Sequence, residues 1–331
     1  MENEANSFGY QVEEEMRIAK SRAIRTYLTH GILFVLTFFT TTLAGVQWLI
    51  KDPLDFSNFH LGLPYSVSIL AFLSAHEFGH FFAARYHGVR TTLPYYIPFP
   101  PFLINFFGTM GAVIRIRSPL SSKRALFDIG VAGPLAGLVV IVIILCYGLL
   151  TLPNIEYLYS IHPDYRLLDR LPQSGLTFGN SLLFWGLTNL LSGPVAVPPM
   201  NEVYHYPYLC VGWFGLFVTA LNLIPVGQLD GGHVLYAIIG KRQGLIARGF
   251  FFVLIGIGIA GFLPFISNRM QTGSLGWLIW SAILFFIIKI DHPVVDDPSD
   301  IGLGRKILGW ITFVIFLITF PPIPFFELTP N

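Results

Sequence analysis

Tyr65-Ser-Val-Ser-Ile-Leu-Ala-Phe-Leu-Ser-Ala-His76-Glu77-Phe78-Gly79-His80-Phe-Phe-Ala-Ala84 is an apolar run interrupted by three ionisable side chains. Read as a helix, it is about the length that crosses a bilayer core. His76 and His80, four residues apart, project from one face and can share a zinc ion. Glu77 follows the first histidine, where a carboxylate can activate a water. HExxH inside a stretch this apolar points to peptide hydrolysis carried out within a membrane.

The remainder of the chain agrees with that setting. Hydrophobic residues make up 53% of the 331 residues and charged ones 12%, which argues against a soluble globular enzyme, and mean hydropathy is +0.63. A net charge of +1, with basic residues scattered through loops, gives no footprint for nucleic acid. Cys146 and Cys210 lie in apolar runs without CxxC spacing and read as small apolar side chains. The N-terminal stretch, with Glu13, Glu14 and Glu15 ahead of Arg17, Lys20, Arg22 and Arg25, shows no cleaved targeting peptide.

Seven stretches approach membrane-spanning length: Gly31 to Ile50, Tyr65 to Tyr86, Phe127 to Leu150, Leu209 to Asp230, Leu245 to Ile266, Leu275 to Ile290 and Ile307 to Phe320. Seven crossings put sixteen of the 20 Lys and Arg residues on one side and only Lys51, Arg166, Arg170 and Arg269 on the other. Cytoplasmic loops are enriched in Lys and Arg, so the N-terminus is expected in the cytoplasm and the C-terminus outside. The expected organisation is a cytoplasmic segment 1–30, one membrane-embedded domain 31–320 with an extracytoplasmic loop 151–208, and a C-terminal tail 321–331. That loop is rich in Pro, Gly, Tyr and Asn, is too short and irregular for a separate domain, and has room for one short helix near Ser181 to Leu191. No internal repeat of the kind that marks transporters is evident.

Two histidines leave zinc short of the three protein ligands usual at catalytic sites. Asn222-Leu-Ile-Pro225-Val-Gly-Gln-Leu-Asp230-Gly231-Gly232-His233 offers a third at the cytoplasmic end of the fourth segment, level with His76 and His80. Spacing alone leaves Asp230 and His233 as alternatives, with a solvated helix-end Asp as the plainer reading. Gly231 and Gly232 would let backbone approach a metal site closely. On its own, Asn222 reads as a tie between helices.

HEFGH in an early apolar segment together with NLIPVGQLDGGH in a later one resembles the site-2 protease family of intramembrane zinc metalloproteases. The likeness runs from about Ser66 to His233, with weaker similarity through Asp291-His292-Pro293, and neither motif departs from the family pattern. Asn222, Pro225, Asp230 and Gly231 match the second motif. The resemblance implies that His76, His80 and Asp230 bind one Zn2+ per chain, that Glu77 is the catalytic base, and that Asn222 holds the substrate or oxyanion. It further implies an all-α polytopic membrane protein of about six to seven transmembrane helices, without the PDZ-like insertion that some members carry.

Leu93 to Ser118 holds Pro94, Pro98, Pro100 and Pro101, then Gly108-Thr-Met-Gly111 and alternating Val113-Ile-Arg-Ile-Arg117, a poor helix and a plausible hairpin. The family resemblance makes it a re-entrant β-hairpin beside the active site, able to pair with an unwound substrate strand. Gly133-Pro-Leu-Ala-Gly137 reads as a close-packing surface. His30, His60, His87, His162, His205 and His292 read as solvated or interfacial.

The expected activity is hydrolysis of peptide bonds within or next to transmembrane segments of membrane-protein substrates, in a multi-pass protein of a bacterial inner membrane. Its expected partners are a transmembrane protein or peptide and the lipid bilayer. One alternative is a non-proteolytic zinc-binding membrane protein or metal transporter. The intact Glu77, and the gathering of polar groups at one depth, weigh against it. Another is a prenyl-protein type zinc protease, against which Leu229-Asp-Gly-Gly232 weighs.

Overall fold

An apolar segment in hydrocarbon has no water to satisfy its backbone, so it satisfies itself as helix. The structure, a computed structural model, describes residues 2–100, 107–120, 122–193, 196–264 and 272–328. Three long helices come first, α1 (Glu2–Trp48), α2 (Phe59–Tyr86) and α3 (Lys123–Leu150). Then follow α4 (Ile155–Ile161), α5 (Leu182–Leu191), α6 (Pro207–Leu223), α7 (Asp230–Ile239), α8 (Gln243–Ala260), α9 (Gly276–Ile283) and α10 (Leu303–Thr319). Met16–Trp48, Phe56–Tyr86, Lys123–Leu150 and Asp230–Ala260 are long and apolar enough to cross a membrane. Their outward side chains, among them Val35, Val67, Val139, Ile143 and Phe252, are exposed and apolar, as lipid contact requires. The chain is an integral membrane protein, mostly helical, with a few short strands.

Two expected boundaries moved. The N-terminal segment 1–30 is not set apart, because α1 runs unbroken from Glu2 through the first apolar run. Good helix formers fill this stretch and no Pro interrupts it. The fourth segment, expected from Leu209 to Asp230, stops at Leu223, ahead of Pro225, which lacks the N–H that would continue the helix. Asp230 therefore opens α7 instead of closing the helix before it.

Close approach of α1, α2 and α3 frames the site. Gly45 of α1 faces Gly62 of α2, and Thr41 bonds Ser66 between the same helices at 2.7 Å. Gly79 of α2 lies against the backbone of Ala132 in α3. Ser122 caps α3 by accepting from the Ala125 N–H, and Asp297 accepts the Lys123 N–H at 2.8 Å. The largest core cluster joins Tyr65, Phe72, Ile141, Leu145, Trp213 and Phe214 of α2, α3 and α6. A second core forms under α8, α9 and α10 around Leu254, Trp277 and Phe316.

The proline-rich stretch after α2 is a hairpin. β1 (Tyr95–Pro98) pairs antiparallel with β2 (Thr109–Val113), Tyr95 opposite Val113 and Pro98 opposite Thr109, with a register shift between. Pro101 lies outside the described residues. The loop 151–208 is more ordered than expected. Besides α4 and the anticipated α5, capped by Ser181, it contains β3 (Gly175–Phe178). Nor is 321–331 a free tail, because its Phe325–Leu328 forms β4 antiparallel to β3, Phe178 opposite Phe325. Phe178 and Phe325 both pack on Trp213, which anchors the small sheet to α6.

Candidate metal centre

His76 and His80 sit on the face of α2 turned towards α3 and α7. His80 Nδ1 lies 2.7 Å from the Ile129 carbonyl of α3, an acceptor only, so this nitrogen carries the proton. That tautomer leaves Nε2 to face inward, as in a metal-ligating histidine. The two Nε2 atoms are 3.1 Å apart, and Asp230 Oδ2 stands 3.5 Å from the first and 3.4 Å from the second. All three donors fall within 4.8 Å of one another. All three side chains are shielded from solvent, the histidines at 5% and 7% exposure and the Asp230 side chain at 16%. Two imidazole nitrogens and a carboxylate oxygen aimed at one point is a donor set that fits zinc.

The local sequence explains why Asp230 arrives there. At the first turn of α7 the carboxylate is at the positive end of the helix dipole. A Cβ on Gly231 would overlap the Leu223 and Ile224 carbonyls, so glycine lets α7 fold back against the end of α6. The expected close approach is thus real, but it is to the chain's own turn. His233, the competing candidate, is turned away, its Nδ1 2.7 Å from His292 Nε2.

Glu77 is 7% exposed and faces the hairpin side, where the backbone of Ile114, just past β2, hydrogen-bonds to it. Asn222, near the end of α6, brings its Nδ2 to 3.5 Å from His76 Nε2. All five residues singled out in the sequence, His76, Glu77, His80, Asn222 and Asp230, are therefore in one place.

Two contributors were not foreseen. Gly133, read as packing, also seats the metal-facing ring: a Cβ there would overlap the His80 imidazole. His30, read as solvated or interfacial, is buried at 8%. Its Nδ1 bonds the Pro94 carbonyl at 2.9 Å and its ring packs on Tyr95 at 4.0 Å. Together with the Tyr96 hydroxyl on Ser74 at 2.7 Å, this pins the hairpin to α1 and α2 beside the site. Only tertiary structure reveals either role.

Residues 64–260 match the family model for peptidase family M50. The chain is 32% identical over 263 residues to the probable zinc metalloprotease EGY1, chloroplastic, of Oryza sativa subsp. japonica, covering 79% of this chain and 41% of that protein. It is 27% identical over 312 residues to the probable zinc metalloprotease EGY2, chloroplastic, of Arabidopsis thaliana, covering 91% of this chain and 50% of that one. The chain thus spans about half the length of these curated relatives or less. No solved structure matches it.

Proposed function

The chain belongs to peptidase family M50, and from that premise we propose that it is an intramembrane zinc metalloprotease cutting peptide bonds within or next to transmembrane segments of other membrane proteins. The observation that carries the proposal is the convergence of His76, His80 and Asp230 on one point, with Glu77 beside it, in a buried pocket between apolar helices. His76, His80 and Asp230 are the proposed ligands. Bound zinc would supply Lewis acidity and bring a water's pKa to about 7. Glu77 takes the proton from the attacking water and returns it to the leaving nitrogen. Asn222 orients the scissile carbonyl through its amide N–H. The hairpin takes a locally unwound substrate as an added strand, which a helix with internally satisfied carbonyls must become before attack.

The proposed topology has six to seven crossings within a single domain 31–320, with the hairpin re-entrant. The pairing of β3 with β4 favours the count of seven: with α1, α2 and α3 crossing before it, loop 151–208 shares a side with β4 only if an even number of crossings lies between them. Four crossings, through α6, through α7 with α8, through α9 and through α10, meet that requirement. Arg305 paired with Asp128 supports the basic-rich face on the other side, with the N-terminus. The relatives are named as chloroplastic. A bacterial inner membrane therefore has no support among them, and the proposal is one of sidedness alone.

Glu77→Gln tests the reading on protein in detergent or lipid, with zinc content and cleavage of a panel of transmembrane peptides measured together. Cleavage lost with zinc retained is the expected result; cleavage retained by the variant sinks the assignment of the base.

A further inference from the structure

His162, Glu202 and His205 form a second convergent donor set, held by segments that have no part in the first. His162 lies between α4 and the 3-10 turn Pro163–Leu167, whereas Glu202 and His205 lie ahead of α6. His162 Nε2 is 3.0 Å from His205 Nε2. Glu202 Oε2 is 3.4 Å from the His205 nitrogen and 3.8 Å from the His162 nitrogen. The Glu202 and His205 side chains are 2% and 0% exposed, while His162, at 20%, opens the cluster to solvent. His162 and His205, read from sequence as solvated or interfacial, differ: His205 is fully buried.

The surrounding bonds fix each donor as a metal site would. His205 Nδ1 donates to the Trp48 carbonyl at 2.6 Å, which leaves Nε2 as the free nitrogen. The other Glu202 oxygen, Oε1, accepts from the Tyr165 hydroxyl at 3.1 Å and from the Asn201 amide at 3.0 Å. Tyr165 also stacks on the His162 ring, centroids 4.4 Å apart. Oε2 alone is left buried without a hydrogen-bond partner. One proton shared between the two histidines cannot serve that oxygen as well, and an unpaired buried carboxylate is costly. A cation at the centre satisfies all three atoms.

We propose that His162, Glu202 and His205 form a second metal site, for a divalent transition ion of the zinc class, which fastens loop 151–208 to the end of α1. Two imidazoles and one carboxylate suit zinc and its neighbours better than calcium or magnesium. The first donor set lies far along α2: Gly62, which meets Thr42 and Gly45 near the end of α1, is separated from His76 by roughly 21 Å of helix at about 1.5 Å per residue. The inference does not depend on the chain being a protease.

The test uses the full chain in detergent, with Zn2+ and Co2+ as probes and His76→Ala/His80→Ala as the background that removes the first donor set. This variant is expected to bind about one equivalent of zinc and to give a cobalt absorption band. Addition of His162→Ala should abolish both, with more than the roughly 10–100-fold affinity loss that follows removal of an outer partner. Tyr165→Phe, which removes such a partner from Glu202, should weaken binding by about 10–100-fold. A folded background variant that binds no zinc, or one whose zinc is indifferent to His162→Ala, overturns the proposal. Should the background variant not fold, the wild-type chain decides. Its zinc content should fall by about one equivalent with His162→Ala alone, and an unchanged content also overturns it.

Discussion

Gly133→Ala should inactivate the proposed protease without replacing any of its proposed ligands or catalytic groups. An alanine Cβ at this position would lie 2.5 Å from His80 Cδ2 and nearer still to Cε1 and Nε2, where 3.4–4 Å is ordinary contact. The obstacle is a ring held by its Nδ1 bond to Ile129, so it cannot give way at low cost. Relief requires the imidazole or α3 to shift by about 1 Å, and a displacement of that size costs about 100-fold in rate. Overpacking adds about 1–3 kcal/mol of destabilisation. Gly137→Ala, four residues along the same face, is the control. Its Cβ would meet Phe72 Cε2 at 3.0 Å and His76 Cβ at 3.3 Å, which needs an adjustment of a few tenths of an ångström. Cleavage of a transmembrane peptide in detergent, zinc content and melting temperature should be measured for both. If Gly133→Ala cleaves within about threefold of wild type and keeps its zinc, the steric reasoning is wrong.

Asn222→Ala should keep its zinc and lose about 100- to 1,000-fold in cleavage if the amide serves the scissile carbonyl, as single oxyanion donors do; a change confined to zinc content would make it a ligand-positioning residue instead. Asp128 accepts from both Arg305 and His87 at 2.8 Å in a partly buried cluster. Asp128→Ala should therefore lower stability by about 1 kcal/mol, a melting shift of about 1–2 °C for a chain of this length, and an unchanged melt would mean that the cluster contributes nothing. Asp297 is held down at about 2 from its usual 3.8, first by a hydrogen bond from the Ser299 side chain and then by those from the N–H groups of Lys123 and Ser299. A carboxylate with a depressed folded pKa contributes stability that is present above the unfolded value and lost as pH falls through the folded one. The melting gap between wild type and Asp297→Asn should therefore hold above pH 4 and close towards pH 2; a gap that persists at low pH removes the capping role.

Much of this site can be read in the chain because its parts are local. HEFGH occupies a little over one helical turn, so the spacing of His76, Glu77 and His80 fixes their relative placement once the helix is granted. Asp230 was legible as a residue, but not as the first residue of a new helix. The run from Leu209 onwards is apolar on both sides of Pro225, and hydropathy does not register a missing N–H. The prolines and alternation of 93–118 spoke against helix, and only the family resemblance chose a hairpin over an ordinary interfacial loop. β3 and β4 were not legible, since four-residue strands far apart in sequence carry no periodic signal, and their pairing depends on aromatic packing against Trp213. His162, Glu202 and His205 were missed for a related reason. They come from loops whose side chains are brought together by Trp48 and Tyr165, neither of which marks a ligand in sequence.

The pairing of β3 with β4 also sets an order of assembly. β4 is synthesised roughly 150 positions after β3. At about 5–20 residues per second the edge of β3 stays open for on the order of 10–30 s, while the remaining helices insert. An open strand edge is a template for any extended segment nearby. β4 thus acts as a latch that can close only once α10 has been made, so a chain lacking Phe325–Leu328 would keep that edge of β3 unpaired.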